Sequence, residues 1–290
     1  MARVVRNGLS VADALTPVLR EQAGAVRAAE ADLRLGRQQA VHEFRVALRK
    51  LRSVIVPARS VFDSDFDLGR DLKAAGRTAG TSRDADVLAG RITERLVDEP
   101  SGNGAIELRS HLQERLDGLR LNGVRELSTY LDTPEYDSTT RRLERFADLT
   151  PWSALASAPA AVVLGDVLEE QRRRFDALTS RAMSVDGGTD VDERLHDVRK
   201  QAKTVRYLSD ALIGFVDQPT KKIRKAMRRV QTVLGDVNDS VLTIEFLDRL
   251  AEEDSLGPDA LRVLGRVRTK EAAATAVARS EFADLSRRLP

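Results

Sequence analysis

His42, Arg45, Arg49 and Arg52 follow one another at intervals of three, four and three residues, and the arrangement returns 154 positions later as His196, Arg199, Lys203 and Arg206. At about 100° per residue, each set falls within roughly a quarter of a helix's circumference. Four such side chains in file can hold an extended polyanion by charge and by hydrogen bonds to its oxygens, with no ring needed to stack on it. Beside each file runs an apolar one, Phe44, Leu48, Leu51 and Ile55 in the first copy, Val198, Ala202, Val205 and Ser209 in the second. Such a face suits a core, so each basic edge borders the interior. Glu43 and Asp197 sit beside the histidines but about 100° round the helix.

A second pair of basic files follows the first. Arg70, Lys73 and Arg77 share one helix edge, and Lys221, Arg224, Lys225 and Arg228 share another. Gly80 and Asp84 have counterparts in Gly235 and Asp239, 155 residues on, so a one-residue slip in a connecting loop separates this repeat from the first. Asp84 and Asp239 read as structural carboxylates, each pairing with a motif arginine and fixing its rotamer. A charge run is ordinarily a solvated face with local ion pairs. Here few acids occupy the positions three or four residues away on the same face, and the pattern occurs twice. Arg266 and Arg268 read as exposed arginines outside these files.

The motif His-x-x-Arg-x-x-x-Arg near the start, with His-Asp-x-Arg-Lys-x-x-Lys-x-x-Arg-Tyr past the middle, resembles the conserved histidine α-helical domain, or CHAD, family. The resemblance spans essentially the whole chain. It implies an all-α fold of two pseudo-symmetric four-helix bundles from an internal duplication, with a basic central groove that binds inorganic polyphosphate. The expected binding residues are His42, Arg45, Arg49, Arg52, Arg70, Lys73, Arg77, His196, Arg199, Lys203, Arg206, Lys221, Arg224, Lys225 and Arg228. It also implies a cytoplasmic protein recruited to polyphosphate granules. Two other functions stay open: an accessory subunit of a polyphosphate- or nucleotide-metabolising enzyme, and a nonspecific binder of nucleic-acid backbones. Against the last, aromatics are only 4% of residues and are not interleaved with the cations, as base stacking requires. Backbone-only binding to a duplex remains compatible with the files.

For the motif histidines three roles are open: metal ligand, hydrogen-bonded structural residue, or phosphate contact. The chain has three histidines and no cysteine, and HEFRV departs from the metalloprotease signature at its fifth residue, so no metal is expected. No phosphate-binding Walker loop, nucleophile elbow or tunnel-enzyme carboxylate pattern is present, so neither catalysis nor a cofactor is expected. Net charge is +2 with a pI near 9.0, an average that hides one-sided faces. The lack of cysteine fits a reducing compartment, and no leader or bilayer-spanning run is apparent in the sequence.

The elements that must position these files are all helical. The first runs from Ser10, an N-cap with Asp13 in the capping-box position, to about Leu35, with Pro17 expected to kink it or delay its start. The first motif helix spans about 38–61, with Pro57 near its end. The acidic stretch Asp63–Asp71 lacks the glycine and glutamate of a calcium loop, so Asp63, Ser64 or Asp65 is expected to cap the next helix, which continues in phase beyond Gly80. A fourth helix covers about 105–131. Residues 134–158, with Pro134 and Pro151 inside, Pro159 just beyond, and a short helix near 141–146, read as the linker between halves 1–133 and 159–290. The second half then repeats four helices, the first of them closed by a Gly187-Gly188 loop, with Pro219 and Gly257-Pro258 opening the last two.

Overall fold

Ser10 closes the expected capping box: its hydroxyl accepts from the Asp13 backbone N–H at 3.1 Å, and Asp13 Oδ2 accepts from the Ser10 N–H at 3.2 Å. Helix α1 (Val11–Arg34) therefore starts on time and carries Pro17 inside it. The computed structural model describes residues 8–37, 39–184, 190–216, 219–253 and 256–289. Along them run α2 (Ala40–Ile55), α3 (Leu68–Thr78), α4 (Gly80–Leu96), α5 (Asn103–Leu131), α6 (Pro134–Asp148), α7 (Ala160–Met183), α8 (Asp190–Ala211), α9 (Thr220–Glu252) and α10 (Pro258–Ser286), with short 3-10 turns at Arg59–Val61 and Ala154–Ser157. No strand occurs among the described residues, and the fold is all-α. The Gly187-Gly188 loop lies outside them.

Several boundaries differ from expectation, each for a local reason. The first motif helix stops at Ile55: Val56 keeps helical angles (φ −72°, ψ −49°), but Pro57 has no N–H with which to continue the hydrogen-bond ladder. Asp67 caps α3, accepting from the Arg70 N–H at 3.4 Å, whereas Asp63 holds the Ser64 N–H inside the preceding turn. Ala79, with ψ near 0°, separates α3 from α4; α9, the longest helix, has no such break. Pro134 opens α6 instead of only ending α5, since the first helical position needs no N–H and Thr133 Oγ1 caps the Tyr136 N–H. The helix expected near 141–146 is thus 15 residues long.

Two hydrophobic cores form, and each takes helices from both ends of the chain. The larger joins α1, α2, α3, the end of α5, α6, α7, α8, the first half of α9 and the end of α10; the smaller joins α4, the rest of α5, the end of α9 and the rest of α10. Phe44, Leu48, Leu51 and Ile55 are at most 1% exposed. At about 1.5–3 kcal/mol per fully buried large side chain, they anchor α2 with order-of-magnitude 10 kcal/mol, more than a few kcal/mol of charge repulsion along its edge can undo. Val198, Ala202, Val205 and Ser209 anchor α8 likewise, all 0% exposed. Residues 134–158 pack into the larger core, where Phe146 stacks on Phe66 and Trp152 on Phe62.

In the smaller core Glu271, 0% exposed, receives Arg91 at 3.0 Å, Arg95 at 2.8 Å and the Ser240 hydroxyl at 2.7 Å. Burial alone would raise its pKa, but these donors hold the carboxyl below its usual range. Glu99 is held low in the same way by Lys270, each at 2.8 Å from it with Arg266. Arg266, outwardly an exposed arginine, therefore pins a buried carboxylate.

Candidate functional site

The buried apolar files seat α2 and α8 against each other, so their basic edges meet where the two helices touch. α3 packs on the far side of α2, and α9 lies along α8, so the basic helices follow one another as neighbours: α3, α2, α8, α9.

At the α2–α8 contact four predicted residues come together. Arg45 is held by the Gly80 carbonyl at 3.0 Å and stands 3.6 Å from Asp84. Arg199 stands 3.9 Å from Asp239 and rests against Gly235, where an added Cβ would lie 3.7 Å from its Nη2. Its Nε is buried with no hydrogen-bond partner, a donor left unspent at a cost of about 1–3 kcal/mol. Burial depresses the Arg199 pKa, Arg49 from α2 depresses it further, and Asp239, Asp236 and Asp84 pull the other way. One turn on, Lys203 is half-buried. Burial pushes its ammonium down to about 6, with Arg199, Arg49 and Arg45 adding to the effect and Asp239 opposing it. Counted as a cation in the sequence, Lys203 is thus biased toward the neutral amine in the free protein.

The histidines differ from each other. His196 Nδ1 lies 2.5 Å from Asn238 Oδ1, and Asn238 Nδ2 donates to Asp239 at 3.2 Å, which fixes the amide's orientation. That assigns the Nδ1 proton to the Asn238 bond and leaves Nε2 bare in the neutral ring. Burial lowers the His196 pKa, the Asn238 bond partly restores it, and Lys200, Arg199 and Lys203 lower it again. A phosphate oxygen at Nε2 therefore requires the imidazolium. Both histidines are exposed, and His42 lies at the edge of a shallow furrow between α1 and α2 lined by Ala25, Ala28, Asp32 and Val46.

The remaining predicted residues lie around this centre. Arg52 donates to the Gly69 carbonyl at 3.0 Å, and burial, with Arg49, depresses its pKa. Arg206 covers the ring of its neighbour Tyr207 at 4.5 Å. Arg70, Lys73 and Arg77 are exposed on α3; Lys221, Arg224, Lys225 and Arg228 are exposed on α9. Two of these have acids nearby, Arg70 at 3.5 Å from Asp67 and Arg224 at 2.8 Å from Asp210.

Elsewhere on the surface many arginines are neutralised, Arg34 by Glu30 and Asp132, Arg120 by Asp86 and Asp117, Arg172 by Glu169 and Asp176, although Arg125, Arg174 and Arg249 make no ion pair with a described residue. Arg49, Lys203 and Arg206 make no ion pair with any described residue, and like charges crowd the first two. Among the described residues no group of three or more His, Asp or Glu is placed to hold a metal ion. The carboxylates beside Arg45 and Arg199, Asp84 on α4 and Asp239 on α9, are the two that the sequence repeat singled out, while Asp210, beside Arg224, lies on α8 and was not among them.

Residues 17–248 match the CHAD domain family. The chain belongs to the CHAD family. Two uncharacterised proteins from two strains of Mycobacterium tuberculosis are each 29% identical to it over 216 residues, 72% of this chain and 40% of the relative. This CHAD chain thus matches less than half the length of those relatives. Its fold is shared with PptA from Streptomyces chartreusis, at a TM-score of 0.81 and 17% identity over 96% of this chain and all of that one. The CHAD domain from the plant Ricinus communis superposes with a TM-score of 0.71 at 21% identity, covering all of this chain and 94% of that one. No helix among the described residues is long and apolar enough to cross a membrane.

Proposed function

We propose that this CHAD protein binds inorganic polyphosphate without transforming it, the chain of phosphates lying across the α2–α8 contact and running outward along α3 and α9. The observation that carries the reading is the crowding of the Arg45, Arg49 and Arg199 guanidiniums about Lys203, with Arg49 in no ion pair among the described residues. A fold that keeps like charges together and half-desolvated is destabilised until an anion arrives, and a polyanion without bases needs only a row of donors. The fifteen residues of the four basic files are the binding set in this reading. The duplication of 1–133 in 159–290 about the segment 134–158 would bring the two files into one groove. In the cell the protein acts in the cytoplasm, at polyphosphate granules.

Titration calorimetry of the full chain with long-chain polyphosphate, alongside duplex DNA of equal charge, tests this. Wild type should bind polyphosphate and release DNA to it at far lower charge equivalents than the reverse. Arg49→Ala with Arg199→Ala should weaken binding about 100-fold or more, from about 1.5–3 kcal/mol for each of two charged hydrogen bonds. A control pair, Arg141→Ala with Arg262→Ala, removes two exposed arginines that have only local acids, Asp137 and Asp259. Equal losses in both double variants would mean diffuse attraction and would reject the groove.

A further inference from the structure

His196 and Arg199 stand one turn apart on α8, and Asn238 and Asp239 stand side by side on α9. The four form one polar run between the helices. His196 Nδ1 lies 2.5 Å from Asn238 Oδ1, Asn238 Nδ2 donates to Asp239 at 3.2 Å, and Asp239 faces Arg199 at 3.9 Å. Each step fixes the next. A carboxylate only accepts, so Asp239 turns the NH2 end of Asn238 toward itself; the amide oxygen, which also only accepts, then needs a proton on His196 Nδ1. The first half of the chain is built otherwise. The 155-residue repeat that carries Asp84 to Asp239 puts Arg83 where Asn238 stands, and an arginine side chain has no acceptor to offer His42.

We propose that Asn238 is a positioning residue that gates the α8 side of the site: by holding His196 Nδ1–H it leaves Nε2 to meet the ligand, so His196 grips a phosphate only after taking up a proton there. The proposal rests on the phosphate-binding reading above. A neutral ring at liberty to change tautomer could present Nε2–H to a phosphate oxygen and need no proton. Held by Asn238, it presents a lone pair, which repels an ionised oxygen until a proton comes between them. Around the ring, Lys200, Arg199 and Lys203 on α8 oppose that proton, Lys200 being paired with Asp197 at 2.6 Å, while Asp239 on α9 stands behind Asn238. α7 grips the opposite face of α8, where Arg194 and Gln201, about 140–160° round from His196, donate to the Arg181 and Gln171 carbonyls. Across the helix contact, Arg45 and Arg49 on α2 are charged at any working pH. The two sides of the site therefore respond differently to acid.

The test uses the full chain with nitrogen-15-labelled histidine. Long-range proton–nitrogen spectra at pH 8 should show His196 in its Nδ1–H form; the Nε2–H form there overturns the proposal with no ligand present. Calorimetry with long-chain polyphosphate at pH 7, in two buffers of different ionisation enthalpy, then counts the protons taken up on binding. Asn238→Leu, checked for folding by its thermal midpoint, lets the ring show Nε2–H, so uptake should fall by up to about one proton per chain. Lost packing alone does not change that count. Asn238→Asp keeps the acceptor and adds a charge, so His196 should stay Nδ1–H and titrate about one pH unit or more higher. In a His196→Ala background, Asn238→Leu should leave the uptake where it is; a further fall there means that Asn238 acts through another group, and overturns the proposal. Failure of wild type to bind polyphosphate removes the reading and the proposal together. Binding with the wild-type uptake retained in Asn238→Leu rejects the role of Asn238 alone.

Discussion

Arg199 stands 3.9 Å from the carboxylate of Asp239, near enough to feel its charge and too far to donate a hydrogen bond to it. Arg45 and Asp84 repeat the relationship at 3.6 Å. These carboxylates damp the charge of the site more than they fix its rotamers, so removing them has two opposed effects. Asp84→Asn with Asp239→Asn should tighten polyphosphate binding several-fold while lowering the thermal midpoint by about 2–4 °C for each kcal/mol of balance lost. Calorimetry and thermal unfolding of one preparation read both; weaker binding at unchanged stability would give the carboxylates a direct positioning role.

Proton uptake should accompany binding. Lys203, pushed down to about 6, and His196, with its pKa lowered by burial, are both biased toward their uncharged forms in the free protein near pH 7.5, and a bound polyanion raises both pKa values. The bound state then holds more protons, so affinity should strengthen as pH falls from 8 toward 6 and level off below. Calorimetry at pH 7 in two buffers of different ionisation enthalpy measures the uptake. Lys203→Arg with His196→Ala should abolish the pH slope.

Salt should weaken binding steeply. With single-stranded nucleic acid as the analogue, log K falls by about 0.7 per decade of salt for each phosphate neutralised. Contacts from Arg45, Arg49, Arg199 and protonated Lys203 alone then give a slope near −3, and the α3 and α9 files make it steeper. Arg49→Ala should reduce the slope by roughly 0.7, which a titration series from low to physiological salt resolves.

Glu271 should matter to stability and not to binding. Replacing it with Ala leaves Arg91 and Arg95 without their buried counter-charge, a loss of about 3–5 kcal/mol for a broken buried pair. The folded pKa of Glu271 is depressed, so its contribution is present above an unfolded value of about 4.3 and fades as pH falls through the folded one. Urea midpoints at pH 7 and pH 4 should differ between wild type and Glu271→Ala far more at pH 7. Polyphosphate affinity of the folded fraction should stay within about twofold.

The all-helical class and the basic edges could be seen in the sequence because both are local. Phe44, Leu48, Leu51 and Ile55 recur at helical spacing, and each turned inward as that spacing requires. What escaped depends on partners distant in the chain. The lowered pKa of Lys203 comes first from burial, then from Arg199 on its own helix and from Arg49 and Arg45 on α2, and no reading of α8 alone shows the burial or Arg49. Arg266 looked like a bystander because Glu99 lies far off in sequence. The break at Ala79 and the helix opened by Pro134 turn on one or two residues where helical periodicity carries no information.

The sharing of both cores between the two ends of the chain bears on biogenesis. While the polypeptide is still emerging from the ribosome, α2 is exposed long before α8 exists, and its arginine edge is a lone strip with no opposite wall. The pincer closes only after contacts some 150 residues apart have formed, a slow, late event in folding. An unfinished chain thus has half a clasp, and a nick that separates the two ends should open it even if every helix survives.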